Sequence, residues 1–121
     1  EEVVERLSVA VSLAEEPDLP IGLTKACIRR SRLLITTDSG PRFFGIAFGI
    51  PTVSLFGPMH IAWSRTHANH EVCLAVPVPC GPCTRRICPL GHHRCMRDLS
   101  VEMVWAAVEK QLEWRGTYRA A

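Results

Sequence analysis

Apolar positions in the first fifteen residues recur at helical spacing. Val3, Val4, Leu7, Val11 and Ala14 fall on one face and predict an amphipathic helix. Pro17 and Pro20 end it and open a loop. Leu23, Ala26 and Cys27 predict a second, short helix closed by the basic pair Arg29-Arg30. The periodicity then changes. Leu33-Leu34-Ile35 is a continuous apolar run, the pattern of a strand buried on both faces of a parallel sheet. Thr37-Asp38-Ser39-Gly40-Pro41 follows, a turn and helix start in which Ser39 can cap and Pro41 takes the first helical position. That helix is expected to reach about Phe48, with Gly49 as its stop and Pro51 just beyond. Residues 52–56 read as a second buried strand halted by Gly57-Pro58, and residues 72–76 as a third, closed by Pro77 and Pro79. Ser100 caps a last helix whose apolar face is Val101, Val104, Trp105, Val108 and Leu112.

Helix, helix, strand, helix, strand, strand, helix is an α/β order, with helices crossing between parallel strands. The first element is a helix, so a further strand upstream is expected, and the chain reads as a fragment of one domain. Residues 43–64 carry no charge over a length that could span a bilayer. Gly45, Gly49, Pro51, Gly57, Pro58 and His60 divide that stretch into helix, turn, strand and loop instead.

The 121 residues suffice for one modest domain, and a net charge of +2 is too small to announce a nucleic-acid or membrane partner. The six cysteines are Cys27, Cys73, Cys80, Cys83, Cys88 and Cys95. The acidic N-terminus lacks the basic and apolar pattern of a secretory leader, so free thiols or a metal site are expected before a disulfide framework. Cys27 and Cys73 sit in apolar patterns and are expected to be small buried hydrophobes.

In open α/β sheets, ligands bind outside the carboxyl ends of the strands. The segment ITTDSGPRFFG lies at such an end. A sharp turn there aims the free N–H groups of the next helix at the crevice, and the helix dipole adds positive potential suited to phosphate. Pro41 has no N–H, so the expected donors are Gly40, Arg42 and Phe43, with the Arg42 guanidinium adding charge. Asp38 is ill-suited to a phosphate and better placed to accept hydroxyl hydrogens from a sugar. Asp38 and Ser39 could equally do no more than cap a structural helix.

The run LLITTDSGPRFFGIAFGIPTVSLFGP, residues 33–58, resembles the signature of the ADP-heptose:lipopolysaccharide heptosyltransferases, glycosyltransferase family 9. The segment CGPCTRRICPLGHHRCMRDLS and the closing helix look like the tails of many members, and the resemblance covers residues 19–112. It implies a Rossmann-like parallel sheet with flanking helices, the incomplete C-terminal half of a two-domain GT-B enzyme. The whole of residues 1–121 would be one truncated nucleotide-sugar-binding domain, with residues 77–97 a Cys-rich insertion. By the same analogy Asp38 holds the donor sugar's hydroxyls, and Ser39, Gly40, Pro41, Arg42 and Phe43 surround the diphosphate. The implied reaction is inverting transfer from an ADP-heptose-like donor to lipopolysaccharide core. Its catalytic base is expected in an N-terminal half absent from this chain, and no cofactor is required. The implied setting is the cytoplasm, peripheral at the inner face of the inner membrane. One departure stands out: the family motif usually ends in His where this chain has Phe43.

Cys80, Cys83, Cys88 and Cys95 follow the spacing x2, x4, x6. Four thiolates in so short a loop can close a tetrahedral zinc site, and a compact cluster also suits iron–sulfur. Reduced thiols or disulfides stay open alongside zinc. His92 or His93 could replace one thiolate, although a solvated pair fits as well. Arg85, Arg86, Arg94 and Arg97 surround the cysteines and raise a zinc-knuckle nucleic-acid module as an alternative. Missing aromatic interleaving argues against it, so no nucleic-acid partner is expected. A degenerate, non-catalytic domain is a further alternative, favoured by Phe43. His60, Trp63, His67 and His70 lie after the second strand, where a plain surface loop is the simplest expectation.

Overall fold

The computed structural model describes residues 2–114. Strands β1 (Leu34–Thr37), β2 (Thr52–Phe56) and β3 (Glu71–Ala75) form a parallel sheet in the order β1-β2-β3. Its register sets Leu34 beside Thr52 and Thr52 beside Glu71. Among the described residues five α-helices accompany it: α1 (Glu2–Glu5), α2 (Ile21–Arg30), α3 (Gly40–Ala47), α4 (Arg94–Arg97) and α5 (Val101–Glu113). Helix α3 connects β1 to β2 and α5 follows the last strand. The chain is therefore a Rossmann-like α/β layer, as the alternation of patterns predicts.

The two faces of the sheet differ in chemistry because side chains alternate along each strand. Ile35, Val53, Leu55, Val72 and Leu74 meet Val104, Ala107 and Val108 of α5 in the hydrophobic core. Burying Val53 and Val108, both 0% exposed, contributes about 1.5–3 kcal/mol each. Ser100 starts α5 by accepting a hydrogen bond from the Met103 N–H at 3.2 Å. The opposite face carries Thr52, Ser54, Phe56 and Glu71, and it lies under α3. A Cβ built on Gly45 would stand 2.7 Å from Thr52 Oγ1 and 2.8 Å from Leu34 Cδ2. The glycine is thus what lets α3 approach the sheet closely.

Four expectations need correction. The first fifteen residues do not form one helix: α1 ends at Glu5, and only a 3-10 turn at Leu13–Glu15 follows. Ser8, Val9, Val11 and Ser12 are weak helix formers, and Val9 and Val11 stay 87% and 77% exposed, so no packing compensates. Helix α2 turns Ile28 inward, 1% exposed, while Leu23 and Cys27 face solvent, so Cys27 is not a buried hydrophobe. Strand β1 is half-buried along Leu34–Thr36, because it borders the sheet whereas β2 lies between two neighbours. The third strand starts one residue earlier than expected, at Glu71, and Val76 lies outside it.

Candidate functional site

Strand β1 ends at Thr37, and the chain turns through Asp38 and Ser39 into α3. The turn lies at the carboxyl end of the sheet, so it brings residues 38–43 together as the sequence predicts. Ser39 occupies the cap position with an extended backbone, yet its side chain caps nothing. Two local facts explain this. A cap hydroxyl serves the N–H groups of the second or third helical residue. The second is Pro41, which has none, and the third is Arg42, whose N–H already donates to the Ser39 carbonyl at 3.1 Å. The Ser39 hydroxyl instead lies 3.3 Å from Thr36 Oγ1 and donates to the Thr37 carbonyl at 3.3 Å. Of the expected amide donors, Arg42 is therefore already engaged. Gly40 opens the helix, where an N–H has no intrahelical acceptor, and a Cβ there would meet nothing within 4 Å.

The Arg42 side chain also departs from expectation. Its guanidinium is fully enclosed, 0% exposed, and does not present its charge to the crevice. Nε and Nη2 donate to Glu71 Oε1 at 2.5 Å and Oε2 at 3.2 Å, a two-point fork from α3 to β3. Nη1 donates to Asp38 Oδ1 at 3.1 Å and to Ser64 Oγ at 2.9 Å. Ser54 donates to Glu71 Oε1 at 2.6 Å, and the Thr66 hydroxyl donates to Glu71 Oε2. The rings of Phe56 and Phe43 flank the guanidinium carbon at 4.9 and 5.2 Å. Burial alone would push the Glu71 carboxyl up. Hydrogen bonds from Arg42, Ser54 and Thr66 outweigh it and hold the group below its ordinary value. For Arg42, burial pulls down, but Glu71 keeps the guanidinium above its ordinary value. The neighbouring Cys73 thiol, half-buried, is pushed up by burial and by the Glu71 charge.

This network fixes Asp38. Ser64 donates a second bond to Oδ1 at 3.2 Å, and the side chain keeps 19% of its surface exposed. Charge and geometry thus anchor one carboxylate oxygen from below, which orients the carboxyl group at the mouth of the turn. Phe43 is 47% exposed at the same mouth and offers a ring without a hydrogen-bond donor. Glu71, Ser54, Ser64 and Thr66 escape a reading of the sequence alone. The available signals were the i,i+4 spacing of Asp38 and Arg42, and a polar Ser54 inside an apolar strand.

The histidines of the following loop divide. His60 Nδ1 accepts from the Ala62 N–H at 3.1 Å, and its ring stacks on Trp63, which is 69% exposed. His67 is exposed and has a left-handed backbone. His70 reaches the Ile46 carbonyl at 3.1 Å and stacks on Trp114, so its role is to pack the end of α3. Cys80, Cys83, Cys88 and Cys95 line one cavity of about 190 Å³ beside Pro58 at the carboxyl end of β2. All are free thiols. Backbone N–H groups of His93 and of residues 90–92 hold the Cys88 thiol below its ordinary value. His92 Nε2 lies 3.9 Å from Cys80 Sγ. Among the described residues, no three Cys, His, Asp or Glu side chains already converge as an ion's ligands. No helix among those residues is long and apolar enough to cross a membrane.

Against known proteins, residues 5–94 match the family described as Glycosyltransferase family 9 (heptosyltransferase). Lipooligosaccharide heptosyltransferase 2 of Campylobacter jejuni serotype O:6 is 38% identical over 79 residues, covering 64% of this chain and 25% of the relative. The same enzyme of serotype O:2 is 38% identical over 73 residues, covering 60% and 23%. Lipopolysaccharide heptosyltransferase 1 of Pseudomonas aeruginosa is 28% identical over 89 residues, covering 71% and 25%. The chain thus spans about a quarter of the length of these curated relatives. No solved structure matches it.

Proposed function

The chain belongs to glycosyltransferase family 9, and from that premise we propose that it forms the half of a heptosyltransferase that binds the nucleotide-sugar donor. One observation carries this: the turn from β1 into α3 holds Asp38 on a buried Arg42–Glu71 pair at the carboxyl end of a parallel sheet. A carboxylate anchored through one oxygen suits the hydroxyls of a bound heptose. The open start of α3 at Gly40 suits the diphosphate, through its N–H groups and the positive end of the helix dipole. Arg42 does not touch the donor in this account; it positions Asp38.

The proposed reaction is inverting transfer. A base deprotonates an acceptor hydroxyl, whose oxygen forms a bond to the anomeric carbon as the bond to ADP breaks. The base is proposed to come from the acceptor-binding half. The contribution of residues 38–43 is to stabilise charge gathering on the leaving diphosphate, a task for preorganised donors that needs no metal or other cofactor. The donor is ADP-heptose-like and the acceptor lipopolysaccharide core. For that pairing the proposed setting is the cytoplasm, peripheral at the inner face of the inner membrane, with an acceptor-binding domain as the proposed partner and no nucleic acid. Residues 1–121 are proposed as one donor domain, with the Cys-rich segment 77–97 inserted in it. A second reading, a degenerate domain that no longer binds donor, is favoured by Phe43 alone, since its ring cannot donate to an oxygen.

Isothermal titration separates the two. The chain is expected to bind an ADP-sugar, and Asp38→Asn is expected to weaken that binding about tenfold or more while leaving ADP alone less affected. A wild-type chain that stays folded and binds neither ligand supports the degenerate domain. Equal losses for ADP and ADP-sugar would remove Asp38 from the sugar.

A further inference from the structure

The segment between β3 and α4, residues 76–93, contains no helix or strand and buries none of its side chains completely. Ile87 and Leu90 point outward, 82% and 63% exposed, so the segment has no apolar core of its own. Eighteen irregular residues are long for a connection within a compact domain and ordinarily have a particular reason to be ordered. Few backbone bonds hold this one: Thr84 N–H donates to the Pro58 carbonyl at 2.8 Å, Gly81 to Val78 at 3.0 Å, and Gly91 to Cys88 at 3.2 Å.

What the segment does share is sulfur. Cys80, Cys83 and Cys88 line the same cavity as Cys95 of α4, and Pro58 and Met96 line it too. The backbone reverses sharply just after two of the four. Thr84, following Cys83, has φ of 58°, and Gly91, three residues after Cys88, has φ of 71°. Four thiols facing one cavity can supply the tetrahedral thiolate set of a divalent ion.

We propose that Cys80, Cys83, Cys88 and Cys95 bind one Zn2+ in a structural tetrahedral site. Thiolate sulfurs in such a site lie about 2.3 Å from the ion. The four side chains therefore turn inward from the cavity walls as it enters, each thiol releasing its proton to solvent. His92 stays outside the ligand set, next to Cys80 Sγ. The ion ties α4 to the loop, and α4 in turn packs on β2 where Met96 covers Gly57; a Cβ on that glycine would lie 2.6 Å from Met96 Sδ. The site thereby holds the loop against the carboxyl end of the sheet, beside the Asp38 turn but apart from it.

The test is metal content of the chain purified under reducing conditions, by elemental analysis, followed by cobalt substitution and visible spectroscopy. About one zinc per chain is expected, together with intense thiolate-to-cobalt charge-transfer bands. Cys83→Ser and Cys95→Ser are expected to lose most of the metal, whereas Cys27→Ser, on the exposed face of α2, retains it. Should a variant fail to fold, the wild-type zinc content and cobalt spectrum decide alone. Folded wild-type protein with four titratable cavity thiols and no zinc overturns the proposal. So does a mass showing two disulfides, or iron with inorganic sulfide in place of zinc.

Discussion

Arg42 is a long cationic side chain with no exposed surface, and its energetics depend on Glu71. Removing this partner leaves the buried guanidinium with Asp38 as its one remaining counter-charge, and breaking comparable buried pairs costs about 3–5 kcal/mol. Glu71→Gln is therefore expected to lower stability by about that amount in urea unfolding. The double replacement Arg42→Leu, Glu71→Leu should recover much of the loss while freeing Asp38. Equal stability of Glu71→Gln and wild type would show that the pair is solvated. The same carboxylate sets a pH response. Its folded-state pKa is depressed, so its contribution is fully present above the ordinary glutamate range and fades as pH falls through the lower, folded value. Stability measured from pH 7 downward should drop below the ordinary range in wild type, and the Glu71→Gln variant should show a shallower slope. Glu71 was not legible in the sequence because a glutamate heading a strand looks like a solvated end. Only the fold brings it to an arginine 29 residues earlier.

Among the elements, punctuation was the legible part. Gly49 and Pro51 mark the end of α3, Gly57-Pro58 that of β2, and Ser100 the start of α5, because these residues act through local backbone geometry. What failed was the element whose order depends on packing: apolar spacing in residues 1–15 has no partner face to bury most of it, so helix survives only at Glu2–Glu5. Burial of Cys27 failed similarly, since one inward residue, Ile28, is all that α2 commits to the core. Two glycines of α3 make the contrast testable. Gly45→Ala drives a methyl group against Thr52 and Leu34 and is expected to cost about 1–3 kcal/mol. Gly40→Ala meets open space, so stability should stay within about 1 kcal/mol of wild type. Under the donor-site proposal it nevertheless weakens nucleotide binding, by placing a methyl group where the diphosphate approaches the backbone. Thermal melts and ADP titration of both variants separate packing from binding.

For the whole molecule, the sheet has one apolar face and one polar face. Helix α5 covers the first and makes the core. Helix α3 covers the second, where a buried ion pair takes the place of aliphatic packing and reaches up to orient Asp38. The sequence shows the strand–turn–helix unit and its place at the sheet's carboxyl end, and the motif there pointed to the family that the comparison confirms. It does not show that Arg42 faces inward, since an arginine next to a phosphate-binding turn and an arginine beneath it have the same spacing.

The central claim is that residues 38–43 receive a nucleotide-sugar. Titration of the 15N-labelled chain with ADP-heptose, followed by amide chemical shifts, addresses it residue by residue. The account predicts that the largest shifts fall on Ser39, Gly40 and Phe43, with the cysteine-lined loop moving little. Saturating ligand that leaves those amides unmoved, or shifts confined to the cysteine loop, would contradict it.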